Sequence, residues 1–423
     1  MPASAAVRTN SMSDRGRESS QLLCPQPIGT LSHDEGRRLL LITEWFPPAV
    51  GGSAELLANI YSRVSRCGVD VIADDSQAAA VSDCGLPSFR VVRTRFGSQP
   101  GLLRWHSLAT QLRLAREIRR LAESDSVIHC GRALPEGSAA WLSRCTGGRP
   151  YLCWTFGEEL AYAATSRELS WLLSRVHRGA AALVAMCHNT AELLLRLGNP
   201  PTKVHVVYPG VDSQRFQPKI GGEAVRRALL QNGELMLLSV GRLQSRKGHD
   251  LVVRALAGLG PNGPRLRYVI VGDGAEAQRL KALVVELGVD DRVRFMGQIP
   301  SAELPAYYAA ADIFVHPNRV DGSDFEGFGL VFLEAAAAGV PAIGGRSGGV
   351  PEAVEDGVTG MLVSGEDVVE LQDTIRLLAG SDVLRAQLGG AARMRVLKQF
   401  TWDRAAQQVD AIDASLRSGN PPK

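Results

Sequence analysis

No apolar run in the 423 residues approaches the roughly 18 that a membrane-spanning helix needs, so no segment reads as a transmembrane span. Cys-x-x-Cys pairs are missing as well. The seven cysteines (Cys24, Cys67, Cys84, Cys130, Cys145, Cys153 and Cys187) are scattered and odd in number. That argues against a zinc knuckle or a disulfide framework, and for thiols used as core filler in a reducing cytoplasm. Charge of one sign is not in excess: 47 Lys and Arg against 44 Asp and Glu leave a net +3, which gives no argument for a nucleic-acid partner. There is no Asp-x-Asp of the kind that holds a metal-bound diphosphate, no His-Glu-x-x-His, no Gly-x-Ser-x-Gly and no Walker loop. No metal site and no cofactor are therefore expected. The first 36 residues are polar, rich in Ser and Arg and without an apolar signal core, so they read as a disordered extension or a start-site artefact.

What is present is a globular composition, 45% hydrophobic and 22% charged, in a length that fits two ordinary domains. Short apolar runs alternate with amphipathic stretches, which predicts parallel sheets with crossover helices. Arg38 to Thr43 reads as a buried strand, followed by the loop Pro47-Pro48…Gly51-Gly52, a helix from about Ser53 to Arg66, and a strand from Val69 to Ile72. Further strands are expected at 90–93, 127–129, 151–154, 182–185 and 204–207. The stretch Tyr208-Pro-Gly-Val-Asp212 with Phe216-Gln-Pro218 breaks the rhythm as a linker would. A second series follows at 236–240, 268–271, 293–295, 313–315, 341–343 and 360–363. The expected organisation is an N-terminal domain over 37–212, a second domain over 213–399, and a last helix over 400–418 that completes the first.

Several constellations carry chemistry. Glu326-Gly-Phe-Gly-Leu-Val-Phe-Leu-Glu334 places two carboxylates around a glycine turn that opens a helix. A helix N-terminus offers unpaired N–H groups and a positive dipole end to an anion such as phosphate. The carboxylates suit the vicinal diols of a sugar or ribose. With the helix opening at the glycines, Glu334 is carried two turns, about 12 Å, along its axis. The bland alternative is a capped helix with two incidental acids. Ser239-Val-Gly-Arg242-Leu…Arg246-Lys247-Gly248 follows a strand and projects an arginine fork and a lysine point charge from one loop, a diphosphate clamp or else a solvated basic loop. Gly51-Gly52 ahead of a helix lets a phosphate approach the backbone. The turns at Gly272 and at Met296-Gly297-Gln-Ile299 end strands, and Ser347-Gly-Gly-Val-Pro351 precedes a short helix in which Glu352 complements the dipole. His129 and Arg132 end another strand, where Arg132 is placed to meet an anionic acceptor. Glu158 and Glu159 either orient an acceptor hydroxyl or simply begin a helix. The arginines of 90–120 form a basic amphipathic stretch suited to anionic lipid, or an ordinary surface helix with arginines outward.

The Glu326–Glu334 segment resembles the signature of the retaining glycosyltransferases of family four, and the resemblance runs from about Arg38 to Trp402, strongest to the bacterial branch that includes phosphatidylinositol mannosyltransferases. It implies an α/β GT-B fold, two Rossmann-like domains facing each other across a donor/acceptor cleft. It implies a cytoplasmic hexosyltransferase, peripheral on the inner membrane face where its acceptor is a lipid. The donor would be a nucleoside-diphosphate sugar, of mannose or glucose type, and the acceptor a hydroxyl of a lipid, glycan or small molecule. By the resemblance, Arg242 and Lys247 hold the diphosphate and Glu326 the sugar hydroxyls. Phe328, Gly329, Leu330 and Val331 supply backbone around the phosphates, and Glu334 holds the ribose diol. Met296, Gly297 and Ile299 hold the base, Gly272 lies along the nucleotide, and Gly51 and Gly52 face the diphosphate. Many relatives carry His-Gly where this chain has Phe156-Gly157, and phenylalanine neither accepts a proton nor donates a hydrogen bond. That departure keeps open a catalytically impaired nucleotide-sugar binder, and the fold is shared with epimerases and phosphorylases. A dinucleotide oxidoreductase is a weaker reading, since no Gly-x-Gly-x-x-Gly follows the first strand.

Overall fold

The computed structural model describes residues 38–49, 51–65, 68–75, 88–96, 105–218, 220–260, 262–322 and 324–419; the N-terminal extension, Arg104 and three of the cysteines lie outside these. Two fully parallel sheets organise them. The first has seven strands in the order β3-β2-β1-β4-β5-β6-β7, with β1 Leu39–Thr43, β2 Val69–Asp74, β3 Phe89–Thr94, β4 Ile128–Cys130, β5 Tyr151–Thr155, β6 Ala182–Ala185 and β7 Val204–Val206. The second has six in the order β10-β9-β8-β11-β12-β13, with β8 Leu235–Val240, β9 Leu266–Val271, β10 Val293–Gly297, β11 Ile313–His316, β12 Ala342–Gly345 and β13 Gly360–Val363. Central strands such as β1 and β5 are buried along their whole length. That follows from helices on both faces of a parallel sheet and explains the continuous apolar runs.

In each sheet the strand order reverses once, between β1 and β4 and between β8 and β11. At such a switch point the loops leave the carboxyl ends of neighbouring strands in opposite directions and open a crevice where ligands bind. Gly51 and Gly52 follow β1, Arg132 follows β4, Arg242 to Lys247 follow β8, and Glu326 follows β11, so these motifs flank the two switch points. One hydrophobic cluster runs from the first sheet to the second through Trp154, Phe156, Met186, Phe328, Phe400 and Trp402. The helix Trp402–Ser418 packs on the helix Gly52–Tyr61, and Asp410 accepts from the Ser65 amide at 2.9 Å. Among the described residues, the chain between β7 and the helix Gly222–Leu229 has no regular element of more than a turn.

Three sequence expectations need correcting here. The helix expected to reach Arg66 ends at Tyr61, because the Ser62 hydroxyl turns back onto the Asn59 carbonyl at 3.0 Å and competes with the next helical turn. The helix carrying Glu334 begins only at Leu330, with Gly329 left-handed at φ 87 before it, so Glu334 stands just over one turn in, not two. Arg132 is not free to meet an anion, since Glu44 and Glu136 pair with it.

Candidate donor site and its relatives

At the end of β8 the backbone turns sharply past Gly241. Here Gly272, at φ 132, lies so close that a Cβ would strike the Gly241 carbonyl, so the two loops pack edge to edge only because position 272 has no side chain. The turn of 3-10 helix Ser245–Lys247 then directs two consecutive cations inward. Arg246 and Lys247 are 4% and 8% exposed, whereas Arg242 points to solvent. Both inward cations converge on Oε2 of Glu326, Arg246 at 2.7 Å and Lys247 in closer contact, and Asn318 donates to the same oxygen at 3.0 Å. The sequence pattern nominated Arg242 with Lys247; the geometry joins Arg246 and Asn318 to Lys247 instead.

Burial alone would raise the Glu326 carboxyl, but the charges of Lys247 and Arg246 outweigh it and hold it below the usual range. Burial lowers Lys247 in turn, against the pull of Glu326. Arg246 also lies 3.0 Å from Asp324 and 3.6 Å from Glu158, which comes from the first domain's side. An anionic site is thus built and filled by carboxylates. A diphosphate is the larger anion that the same two cations suit.

The remaining sequence-nominated residues surround this point. Gly52 faces Leu330, a Cβ there standing 3.4 Å from the leucine methyl, which brings the Gly51-Gly52 loop against the start of the Leu330–Ala337 helix. Phe328 is buried against Tyr208 and Phe400, with ring centroids 5.8 Å away in both cases. Val331 is partly buried on the same helix. Met296 and Ile299 pack partly buried against the main cluster, and the Gly297 carbonyl accepts from the Gly272 amide at 2.7 Å. Glu334 accepts from the Tyr308 hydroxyl at 2.5 Å, and burial, with Glu55 nearby, pushes its carboxyl up to about 7. It shares a small crevice with Glu55, Gly210, Asp212 and Trp402, away from Glu326. Phe156 is buried and stacked on Trp154 with centroids 6.3 Å apart, and its carbonyl lies where a Cβ on Gly327 would come within 2.6 Å.

Glu352 does more than complement its own short helix. Its carboxylate accepts from the amides of His188 and Asn189, at 2.8 and 2.9 Å, and from the Tyr208 hydroxyl at 2.8 Å. It therefore caps the helix His188–Arg196 that follows β6, and ties the two sheets' loops together. Removing it takes the acceptor from two amides at a helix N-terminus, and the loss of such a cap costs about 0.5–2 kcal/mol. Glu352→Ala is expected to lower the denaturant midpoint; an unchanged midpoint refutes this tie.

Relatives place this geometry. Residues 223–395 match the family model described as Glycosyl transferases group 1, and residues 22–215 match that of Glycosyltransferase Family 4. Over 389 residues the chain is 32% identical to the GDP-mannose-dependent alpha-(1-6)-phosphatidylinositol monomannoside mannosyltransferase of Mycobacterium tuberculosis, covering 88% of this chain and 97% of the relative. It is 40% identical over 226 residues to a D-inositol 3-phosphate glycosyltransferase of Actinosynnema mirum, covering 51% of this chain and 53% of that one. Among solved structures, HepE of Anabaena in complex with UDP and glucose superposes with a TM-score of 0.73 at 21% identity, covering 90% of this chain and 99% of that one. Sucrose-phosphate synthase of Thermosynechococcus elongatus gives 0.76 at 23%, covering 91% and 100%. Two facing parallel-sheet domains of this kind are the GT-B architecture of nucleotide-sugar-dependent glycosyltransferases. The chain belongs to glycosyltransferase family 4 and is a hexosyltransferase.

Proposed function

We propose that the protein transfers mannose from GDP-mannose to a hydroxyl of an inositol-based glycolipid, with the anomeric configuration retained and no metal ion required. The observation that carries the donor half is the convergence of Arg246 and Lys247 on Glu326 at the second sheet's switch point. The GDP-mannose preference is supported by the relatives that match nearly the whole chain.

On donor entry the diphosphate takes over the two cations, joined by Arg242 from the loop edge, and the N–H groups from Phe328 to Val331 face its oxygens. Glu326 turns to the sugar hydroxyls, Glu334 to the ribose, and the loops at Gly272 and at Met296 to Ile299 to the nucleoside. The acceptor oxygen attacks the anomeric carbon from the face the diphosphate leaves. The bond from that carbon to the phosphate oxygen breaks as the new glycosidic bond forms. The acceptor proton passes to a phosphate oxygen, and GDP departs. Arg246 and Lys247 stabilise the charge that develops on it.

A cytoplasmic protein held at the inner membrane face fits a lipid acceptor. The helix Trp105–Leu121 offers exposed Arg116, Arg119 and Leu112 for that contact. Other arginines of the stretch are already used within the fold: Arg90 pairs with Asp70 at 2.5 Å and Arg113 donates to the Arg95 carbonyl at 2.6 Å. The test is transfer of labelled mannose from GDP-mannose into vesicles containing phosphatidylinositol mannoside, with the product's anomeric configuration read by NMR. Labelled lipid carrying an α-linkage supports the reading; transfer from UDP-glucose alone, or an inverted product, defeats it.

The second reading, a binder without turnover, rests on Phe156, whose ring is packed on Trp154 rather than open to solvent. On the transferase reading the phenylalanine is a tolerated wall. Phe156→His is then expected to leave kcat within about fivefold or raise it, since one added hydrogen bond contributes about 1 kcal/mol. A loss of a hundredfold in steady-state assays indicates a site rebuilt around the phenylalanine.

A further inference from the structure

The Glu326 carboxylate is held from one side only. Arg246, Lys247 and Asn318 all donate to its Oε2, and none of the described residues donates to Oε1. Two of the three donors are the cations that the diphosphate takes over in the transferase reading above, on which this inference rests. Once they turn to the diphosphate, the Asn318 amide is the one donor of the three still on Glu326. A buried carboxylate left without a donor swings away or takes up a proton, so the state of Glu326 in the donor complex depends on that amide.

The loop after β11 is built to hold the amide still. Asn318 is 0% exposed, and its backbone N–H donates to the His316 carbonyl at 2.8 Å. Gly345 at the end of β12 and Gly365 after β13 press so closely on the Asn318 carbonyl that a Cβ on either would strike it. The next amide, that of Arg319, donates to the Arg246 carbonyl at 2.9 Å, and the Arg319 side chain pairs with Asp250 at 2.9 Å. Nδ2 must face Glu326, because the reverse orientation sets two acceptors against each other. That leaves Oδ1 of Asn318 buried without a hydrogen-bond partner. An unpaired buried acceptor is destabilising, so packing alone would favour an apolar residue at this position. We propose that Asn318 is a positioning residue for the transfer: it holds Glu326 in place, with Oε1 toward the hexose, after the diphosphate has taken Arg246 and Lys247.

Asn318→Leu tests this, because its heavy atoms branch as those of asparagine do but include no donor. With GDP-mannose and vesicles containing phosphatidylinositol mannoside, the variant is expected to lower kcat at least tenfold, the scale of one hydrogen bond to a charged group. GDP, which carries no hexose, should bind within threefold of the parent by calorimetry. Asn318→Ala, which cannot crowd the loop, is expected to do the same. Losing a hydrogen bond to the charged form raises a carboxyl. The acid limb of kcat, which reports the donor complex, should therefore move up by about one pH unit. The acid limb of kcat/KM reports the free enzyme and should stay, because there Lys247 and Arg246 still hold Glu326 low. The other charged and titratable groups around the pair are unchanged by the substitution. They are Arg242 near Lys247, Asp324 and Glu158 on Arg246, and His249 and His316, which burial keeps below their ordinary range. Parent kcat in both variants, two acid limbs that behave alike, or GDP binding weakened as much as kcat overturns the proposal. Absence of turnover in the wild type overturns the transferase reading instead.

Discussion

Glu326→Ala is expected to lower kcat by about a thousandfold, the scale of removing one preorganised electrostatic contact from a transferring site, and to destabilise the fold as well. The second effect comes from the structure. Glu326 is the shared acceptor of Arg246, Lys247 and Asn318 in a pocket where the acid is 8% exposed. Removing it leaves the buried Lys247 uncompensated and Arg246 with only Asp324 and Glu158, and breaking a buried pair in this way costs about 3–5 kcal/mol. Glu326→Gln separates the two effects: it keeps the shape and the hydrogen bond to Asn318 but not the charge. The pH dependence has a fixed sign. The folded carboxyl lies below its ordinary value of 4.5, so its stabilising contribution is fully present above 4.5 and is lost as pH falls through the lowered folded value. Glu326→Gln should therefore flatten that acid limb of the stability curve. Wild-type turnover in either variant, or an acid limb unchanged in the Gln variant, contradicts the role given to Glu326.

Lys247→Met is expected to weaken nucleoside diphosphate binding by about 2–5 kcal/mol, the range for truncating one partner of a buried charged pair. The lysine is 8% exposed and has Arg246 beside it, so two cations act on one anion within a pocket that water hardly enters. Arg242, exposed on the loop edge, should cost less when replaced by Met, since a solvated charge is screened. Calorimetry with GDP orders the two variants. Equal effects from both, or a larger one at Arg242, contradict the inward geometry of the Ser245–Lys247 turn.

The scaffold was legible because buried parallel strands announce themselves as unbroken apolar runs: each of the thirteen described strands lies on a run read from the sequence, with ends shifted by a few residues at most. The pairs that work through tertiary contact were not legible. Nothing in the spacing says that Arg246 rather than Arg242 turns inward, because that depends on one turn of 3-10 helix. The helix-opening signal after Glu326 was real, but left-handed Gly329 delays the helix to Leu330, so Glu334 stands just over one turn in, in a crevice that Glu326 does not line. Glu352 read as a first-turn acid, and its partners are amides about 160 residues away, which no local pattern reveals. In the Glu158-Glu159 pair, helix phase sends the first to solvent and the second under Phe156, where burial pushes its carboxyl up to about 7.

The account stands on the Arg246–Lys247–Glu326 cluster being a nucleotide diphosphate site. Calorimetric titration of the purified chain with GDP, UDP and ADP reads that directly. One-to-one binding of GDP, tighter than UDP or ADP and lost in Lys247→Met, is the predicted result. No binding of any of the three, or binding indifferent to Lys247, contradicts it.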